Sequence, residues 1–187
     1  MRNDFINLLI EEARKNTNIF LLNGDLGYSV LEPFKEKFPD RYINVGISEQ
    51  NMMGVAAGLA LNGKKVFVYS IVNFLTFRCL EQIRNDVCYH NLDVNLISIG
   101  SGFSYGSQGY THHGVEDISL MNSLPNMNIY SPSNFQELKF LSKIIFKNKS
   151  PKYLRLPRNA INFKSIQVSG FYPIIKNSNI NIISYGE

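Results

Sequence analysis

The sequence predicts a doubly wound α/β domain with a mostly parallel sheet and helices on both faces, and three observations predict it. Short apolar, β-rich runs recur along the chain with helically spaced segments between them, which is the pattern of successive βαβ units. The 187 residues are 44% hydrophobic and 18% charged, an ordinary globular mixture in a chain long enough to bury a core. The segment at 49–62 carries Met52, Met53, Val55, Ala56, Ala57, Leu59, Ala60 and Leu61 and has almost no polar face. A helix of that kind must be covered on most sides.

Taken in order, the start MRNDFINLLIEEARKN has an amphipathic helix pattern over residues 3–16. NIFLLNG reads as a strand closed by a turn signal, and residues 30–38 as a short helix. RYINVGI is a second strand that leads straight into the apolar helix at 49–62. KKVFVYSIV and DVNLISIG, rich in β-branched residues, are the third and fourth strands, with a helix over 76–90 between them. Helices at 115–123 and 133–147 flank the strand MNIYSP, and PKYLRLP is the sixth strand. The domain so defined spans residues 1–158. Residues 159–178 lack a clear period and read as a linker. NINIISYGE, at 179–187, reads as the first strand of a further domain that is lost, removed or supplied as another chain.

Composition excludes several classes. No run approaches the roughly eighteen apolar residues of a membrane helix, and the polar start is unlike a signal peptide; the expected compartment is the cytosol. The basic excess lies in the second part, where residues 101–187 hold 9 basic and 4 acidic residues. Lys139, Lys143 and Lys147 recur every fourth residue on one helix face, which is a solvated face and not the aromatic-interleaved stripe of a nucleic-acid binder. Cys79 and Cys88 have no metal-ligand spacing and read as reduced helix residues.

In an open α/β sheet, ligands bind beyond the carboxyl ends of the strands, so the candidate site is built from LNGDLGYS, GISEQ, SIVNFLTF and IGSGFSYGSQGYTHHGVED. Glu49 stands at the junction of the second strand and the apolar helix. A carboxylate there suits the positive end of the helix dipole behind Ser48 as a capping residue, a reading that needs no function. The apolar helix that follows argues for more, because it directs Glu49 towards covered ground. Phe74 and Phe77, three apart, share a helix face. Arg155 and Arg158 follow a strand in YLRLPRN, where guanidinium groups suit an anion.

The ordered set RYINVGISEQNMMGVAAGLALNGKKVFVY, NFLTFRCLEQIRND, GSQGYTHHGVEDISLMNSLPNMNIYSPS and PKYLRLPRN resembles the pyrimidine-binding domain of transketolase and deoxyxylulose-phosphate synthase, over roughly residues 20–160. The resemblance implies thiamine diphosphate as cofactor and transfer of a two-carbon ketol unit between sugar phosphates or related sugars. No GDG motif followed by Asn is present. The resemblance therefore implies that a diphosphate-binding partner chain supplies the diphosphate and Mg²⁺ site, and that the chain works in a homo- or hetero-oligomer and is inactive alone. The related rivals are the β subunit of a 2-oxo acid dehydrogenase, which has the same fold and glutamate, and a non-catalytic supporting subunit.

By the same resemblance Glu49 is catalytic. Its carboxyl hydrogen-bonds a ring nitrogen of the aminopyrimidine and so favours the tautomer that takes the proton from the thiazolium carbon. Burial, which favours the neutral carboxyl, must then outweigh the helix dipole. Phe74 and Phe77 belong to the pocket holding the pyrimidine, and Asp25 lies near the cofactor. His112 contacts the donor sugar, while His113 stands where relatives carry Gln. Gln108 occupies a position where transketolases have an acidic residue that reads a sugar hydroxyl. Ser29, Arg155 and Arg158 correspond to phosphate-contacting positions.

Overall fold

The computed structural model describes residues 1–158; the expected linker and the strand after it lie outside the described residues. Among the described residues there are six strands: β1 (Ile19–Asn23), β2 (Tyr42–Asn44), β3 (Lys65–Ile71), β4 (Val94–Ile99), β5 (Asn128–Tyr130) and β6 (Lys152–Leu156). They form one sheet in the order β2-β1-β3-β4-β6-β5, with every neighbouring pair parallel. The helices are α1 (Arg2–Lys15), α2 (Glu32–Lys37), α3 (Glu49–Leu61), α4 (Val72–Thr76), α5 (Leu80–Gln82), α6 (Asp117–Asn122) and α7 (Phe135–Lys147), and α5 runs on into a π-helical turn at Ile83–Cys88. The predicted doubly wound architecture is thus the observed one.

Strands buried on both faces need apolar residues at nearly every position, and β3 and β4 supply them. Period-two alternation sends their residues to two separate cores. Phe67, Tyr69, Ile97 and Ile99 pack with Phe5, Leu9 and Leu138 beneath α1 and α7. Val66, Val68, Val94 and Leu96 pack with Met52, Met53, Ala56 and Met121 beneath α3 and α6. At the start of α7, Asn134 Oδ1 accepts from the Glu137 N–H (3.0 Å), and Glu137 Oε2 accepts from the Ser133 N–H and hydroxyl, both at 2.9 Å. This reciprocal capping satisfies donors the helix leaves open.

The expected helix at 76–90 starts earlier, at Val72, and is interrupted. Thr76 Oγ1 donates back to the Val72 carbonyl at 2.8 Å, a bond that loosens a helix, and Cys79 departs from helical geometry at φ −114°. Cys79 and Cys88 are free and buried. Burial pushes the Cys79 thiol up to about 12, helped by the charge of Glu49, and the Cys88 thiol up to about 11. Neither is a nucleophile near neutral pH. Among the described residues no helix is long and apolar enough to cross a membrane.

The amino edge of the sheet holds a buried charge cluster. Asp93 receives Lys65 Nζ at 2.7 Å and Lys152 Nζ at 2.9 Å. Lys65 also donates to the Asn148 carbonyl (2.7 Å) and Lys152 to the Ser150 carbonyl (2.6 Å). Lys152 is fully buried, and desolvation lowers it from its ordinary value to about 8, against the pull of Asp93.

Candidate active site

The order of the sheet reverses direction at β1, whose neighbours are β2 and β3. The crevice beyond the carboxyl ends of β1 and β3 is therefore the topological switch point, where ligands bind in folds of this kind. Glu49 stands there. Its Cγ lies 3.8 Å from where a Cβ on Gly24 would be, and that same Cβ would approach the Gly46 carbonyl to 3.2 Å. Gly24 thus lets the loop after β1 close onto the first turn of α3. Glu49 is only 5% exposed.

The carboxylate of Glu49 is not engaged in capping. Ser48, at the N-cap, makes no side-chain cap bond and donates its hydroxyl to the Val45 carbonyl at 2.8 Å. Arg78 Nη1 instead donates to Glu49 Oε1 at 2.9 Å. The same guanidinium lies 3.8 Å from the ring centroid of Phe74, and Phe74 meets the His112 ring edge-on at 5.1 Å. Glu49, Arg78, Phe74 and His112 therefore form one continuous cluster. Phe77 sits on the same helical turn as Phe74, its N–H bonded to the Asn73 carbonyl (3.1 Å), and its side chain is 46% exposed.

His112 is carried by the long loop after β4, which is closed at its base by two hydrogen bonds between Gly102 and Gly114, of 2.7 and 2.8 Å. A Cβ on Gly114 would lie 2.2 Å from Val72 Cγ1, so only glycine lets the loop rest on α4. Asn73 Nδ2 ties α4 to the Tyr110 and Thr111 carbonyls at 3.2 and 3.1 Å. Its Oδ1 is buried without a partner. His112 Nδ1 lies 2.9 Å from Thr111 Oγ1, and Tyr105 flanks its ring at 5.6 Å. His113 turns away, with Nε2 2.9 Å from the Gly106 carbonyl and its ring against Phe103. Gln108 is exposed on the same loop.

Asp25 and Ser29 lie on the loop after β1 with left-handed backbones, φ 57° and 62°, a conformation that non-glycine residues seldom adopt and that collects at functional sites. Asp25 and Asn44 are interlocked by two hydrogen bonds of 3.0 Å. A cleft of about 240 Å³ opens beside them, lined also by Tyr28, Glu32 and Tyr42. Glu49 does not line it.

The two arginines part company. Arg158 is exposed, with its guanidinium 5.5 Å from the Tyr105 ring centroid. Arg155 is buried. Its Nε donates to Asp117 Oδ2 at 2.8 Å and its Nη2 to the Gly114 carbonyl at 2.9 Å. Tyr153 donates to the same Asp117 oxygen at 2.7 Å, and burial beside that carboxylate pushes its phenol well above the ordinary value. Arg155, expected at a phosphate, here turns Nε and Nη2 inward, where they brace the base of the His112 loop. Period two along β6 places it on the face of Tyr153, the signal that could have shown this. Arg78 carried no local signal, because its partner lies 29 positions away.

The fold is a parallel α/β sheet with an acidic helix start and an aromatic wall at its switch point. Residues 1–164 match the family described as transketolase, pyrimidine binding domain, and the chain belongs to that family. It is 39% identical over 159 residues to a putative transketolase C-terminal section from Methanocaldococcus jannaschii, covering 84% of this chain and 50% of that protein. It is 35% identical over 161 residues to one subunit of the apulose-4-phosphate transketolase of Phocaeicola vulgatus (86% and 52% covered), and 36% over 159 residues to a 6-deoxy-6-sulfo-D-fructose transketolase subunit from a Clostridium (84% and 49%). The chain thus spans about half the length of the curated relatives it matches. Among solved structures, a split gene transketolase described as an inactive beta4 tetramer superposes with a TM-score of 0.77 at 32% identity, over 92% of this chain and 55% of that one. The transketolase of Campylobacter jejuni, at 19% identity and a TM-score of 0.73 over 84% of this chain and 25% of that one, shares the fold.

Proposed function

We propose that the chain is the pyrimidine-binding component of a two-chain, thiamine-diphosphate-dependent transketolase that moves a two-carbon ketol unit between anionic sugars. The observation that carries this reading is the cluster at the switch point, where a buried carboxylate at the start of α3, the Phe74 ring and His112 are linked through Arg78. These residues fit an aminopyrimidine. Glu49 offers a carboxyl in covered ground, Phe74 and Phe77 offer aromatic faces for a flat ring, and Asn73 Oδ1 is a buried acceptor still without a partner.

When bound, thiamine diphosphate supplies the carbon nucleophile that cleaves a ketose beside its carbonyl. Glu49 holds a proton against the pyrimidine ring nitrogen, and its burial keeps competing water away. Phe74 and Phe77 orient the ring. His112, backed by Phe74 and Tyr105, presents Nε2 to the donor as a hydrogen-bonding and proton-relaying group, with Gln108 on the same loop towards the sugar hydroxyls. Arg158 binds the anionic tail of the sugar, and Ser29 and Asp25 border the cofactor side. The two relatives named for their substrates act on a phosphorylated and a sulfonated sugar, and an exposed guanidinium suits either anion. The diphosphate and Mg²⁺ are held by a partner chain with a diphosphate-binding domain, which covers the exposed Ile47, Phe77, Phe103 and Tyr110. The compartment proposed is the cytoplasm.

The test is reconstitution. Mixing the chain with a diphosphate-binding partner, thiamine diphosphate and Mg²⁺ should produce ketol transfer from a ketose phosphate to an aldose phosphate, with neither chain active alone. A mixed enzyme that binds the cofactor and yet transfers nothing would leave the chain as a supporting subunit.

A further inference from the structure

We propose that Arg78 is a built-in placeholder for the aminopyrimidine: in the free chain its guanidinium occupies both surfaces that the cofactor ring needs, and the ring must displace it. This rests on the cofactor reading above. A guanidinium is planar and carries nitrogen donors, and so does an aminopyrimidine. Arg78 donates to Glu49 Oε1 at 2.9 Å and lies 3.8 Å from the Phe74 ring centroid. One flat, donor-bearing group thus engages the carboxylate and the aromatic wall together. Phe74 is fixed from behind by its edge contact with His112 at 5.1 Å. Arg78 is the accessible member, its side chain 47% exposed against 6% for Glu49.

The arrangement meets a physical need. A buried carboxylate with no partner is costly, and removing one member of a buried pair commonly destabilises a fold. In a chain that folds before it meets its cofactor and partner, Arg78 keeps Glu49 paired. Because Arg78 is half in solvent, its release costs little. Cofactor affinity is then lowered by the fraction of molecules in which the guanidinium is in place.

The assembled two-chain enzyme should be titrated calorimetrically with thiamine diphosphate and Mg²⁺, comparing wild type, Arg78→Met and Arg78→Lys. Met keeps an apolar stem over Phe74 and removes the donor plane, while Lys keeps the charge without the plane. The placeholder predicts affinity about three- to tenfold tighter in Arg78→Met, with Arg78→Lys between the two. Melting without cofactor should be lower for Arg78→Met than for wild type, and the gap should close at saturating cofactor, because the pair exists only in the empty site. Equal or weaker affinity in Arg78→Met removes the placeholder and leaves the cofactor reading standing. No binding by any of the three would sink the cofactor reading itself, and the placeholder with it.

Discussion

Replacing Glu49 by Gln separates chemistry from architecture. Glutamine keeps the size of the side chain, its place beside Gly24 and an oxygen that still accepts from Arg78. It cannot hold a carboxyl proton against the pyrimidine ring. On the stability side, two terms are lost. The ion pair has a half-exposed partner, which limits it to about 0–1 kcal/mol, and the charge at the start of α3 contributes about 0.3–1 kcal/mol through the helix dipole. Together they amount to about 1 kcal/mol, or a fall of about 2–4 °C in Tm for a chain of this size. On the catalytic side, proton–deuterium exchange at the thiazolium carbon of the assembled enzyme should slow by at least about a hundredfold, the lower end for a positioned proton-transfer group. Cofactor affinity should change little, since the weaker contact to the ring is offset by weaker competition from Arg78. Exchange by NMR and a melting curve on the same preparation decide the matter. Wild-type exchange beside a lowered Tm would refute the catalytic role and leave Glu49 a helix-start charge.

Arg158→Ala should raise KM for phosphorylated substrates far more than for unphosphorylated ones, and equal effects on both would take Arg158 out of the anion site. Arg155→Met should instead lower stability by about 3–5 kcal/mol, because it leaves the buried Asp117 without its counter-charge, and should shift both classes of substrate alike; a phosphate-selective KM effect would make Arg155 a ligand. The chain alone should bind thiamine diphosphate weakly, with the diphosphate site on a partner, and tight Mg²⁺-dependent binding by calorimetry would contradict that. Lys152 titrates at about 8 in the fold against 10.5 when unperturbed, so the unfolded chain holds more protons in that interval and Lys152 adds stability as pH rises through it. The stability of wild type relative to Lys152→Met should grow from pH 7 to pH 9, and a difference independent of pH would show that Lys152 stays charged.

Much of the fold is legible in the sequence because its signals are local. The alternation of β-rich runs with helical spacing yields six strands and their helices in the right order, while the apolar helix after Glu49, expected to be covered on most sides, buries Met52, Met53, Ala56 and Ala57 and leaves Leu61 exposed. What stays hidden lies in pairings across the chain. Arg78 sits in NFLTFRCLEQ beside two conspicuous phenylalanines, yet its meaning depends on Glu49 from another loop. Lys65, Asp93 and Lys152 each begin or precede a strand, and parallel pairing brings them to one sheet edge; no sequence window contains all three. The break near Cys79 is hidden for a different reason. Thr76 back-bonding is a side-chain choice that propensity does not fix.

The two ends of the sheet differ in what their polar groups do, and the difference bears on function. At the amino edge Asp93 accepts from both lysines, whose remaining donors reach backbone carbonyls of α7 and the loop before β6. Charges so matched hold elements in register, although Asn95 Oδ1 beside them is buried without a partner. At the carboxyl edge the same chain leaves Asn73 Oδ1 without a partner, carries Asp25 and Ser29 in strained backbone and exposes Phe77, Phe103 and Tyr110. Each of these has a cost that a monomer optimised for stability alone would shed. Left-handed non-glycine residues and an unpartnered acceptor also occur at the amino edge, at Asn91, Asn126 and Asn95, so it is their combination with the buried carboxylate of Glu49 that matches a site completed by binding energy from a cofactor and a partner chain.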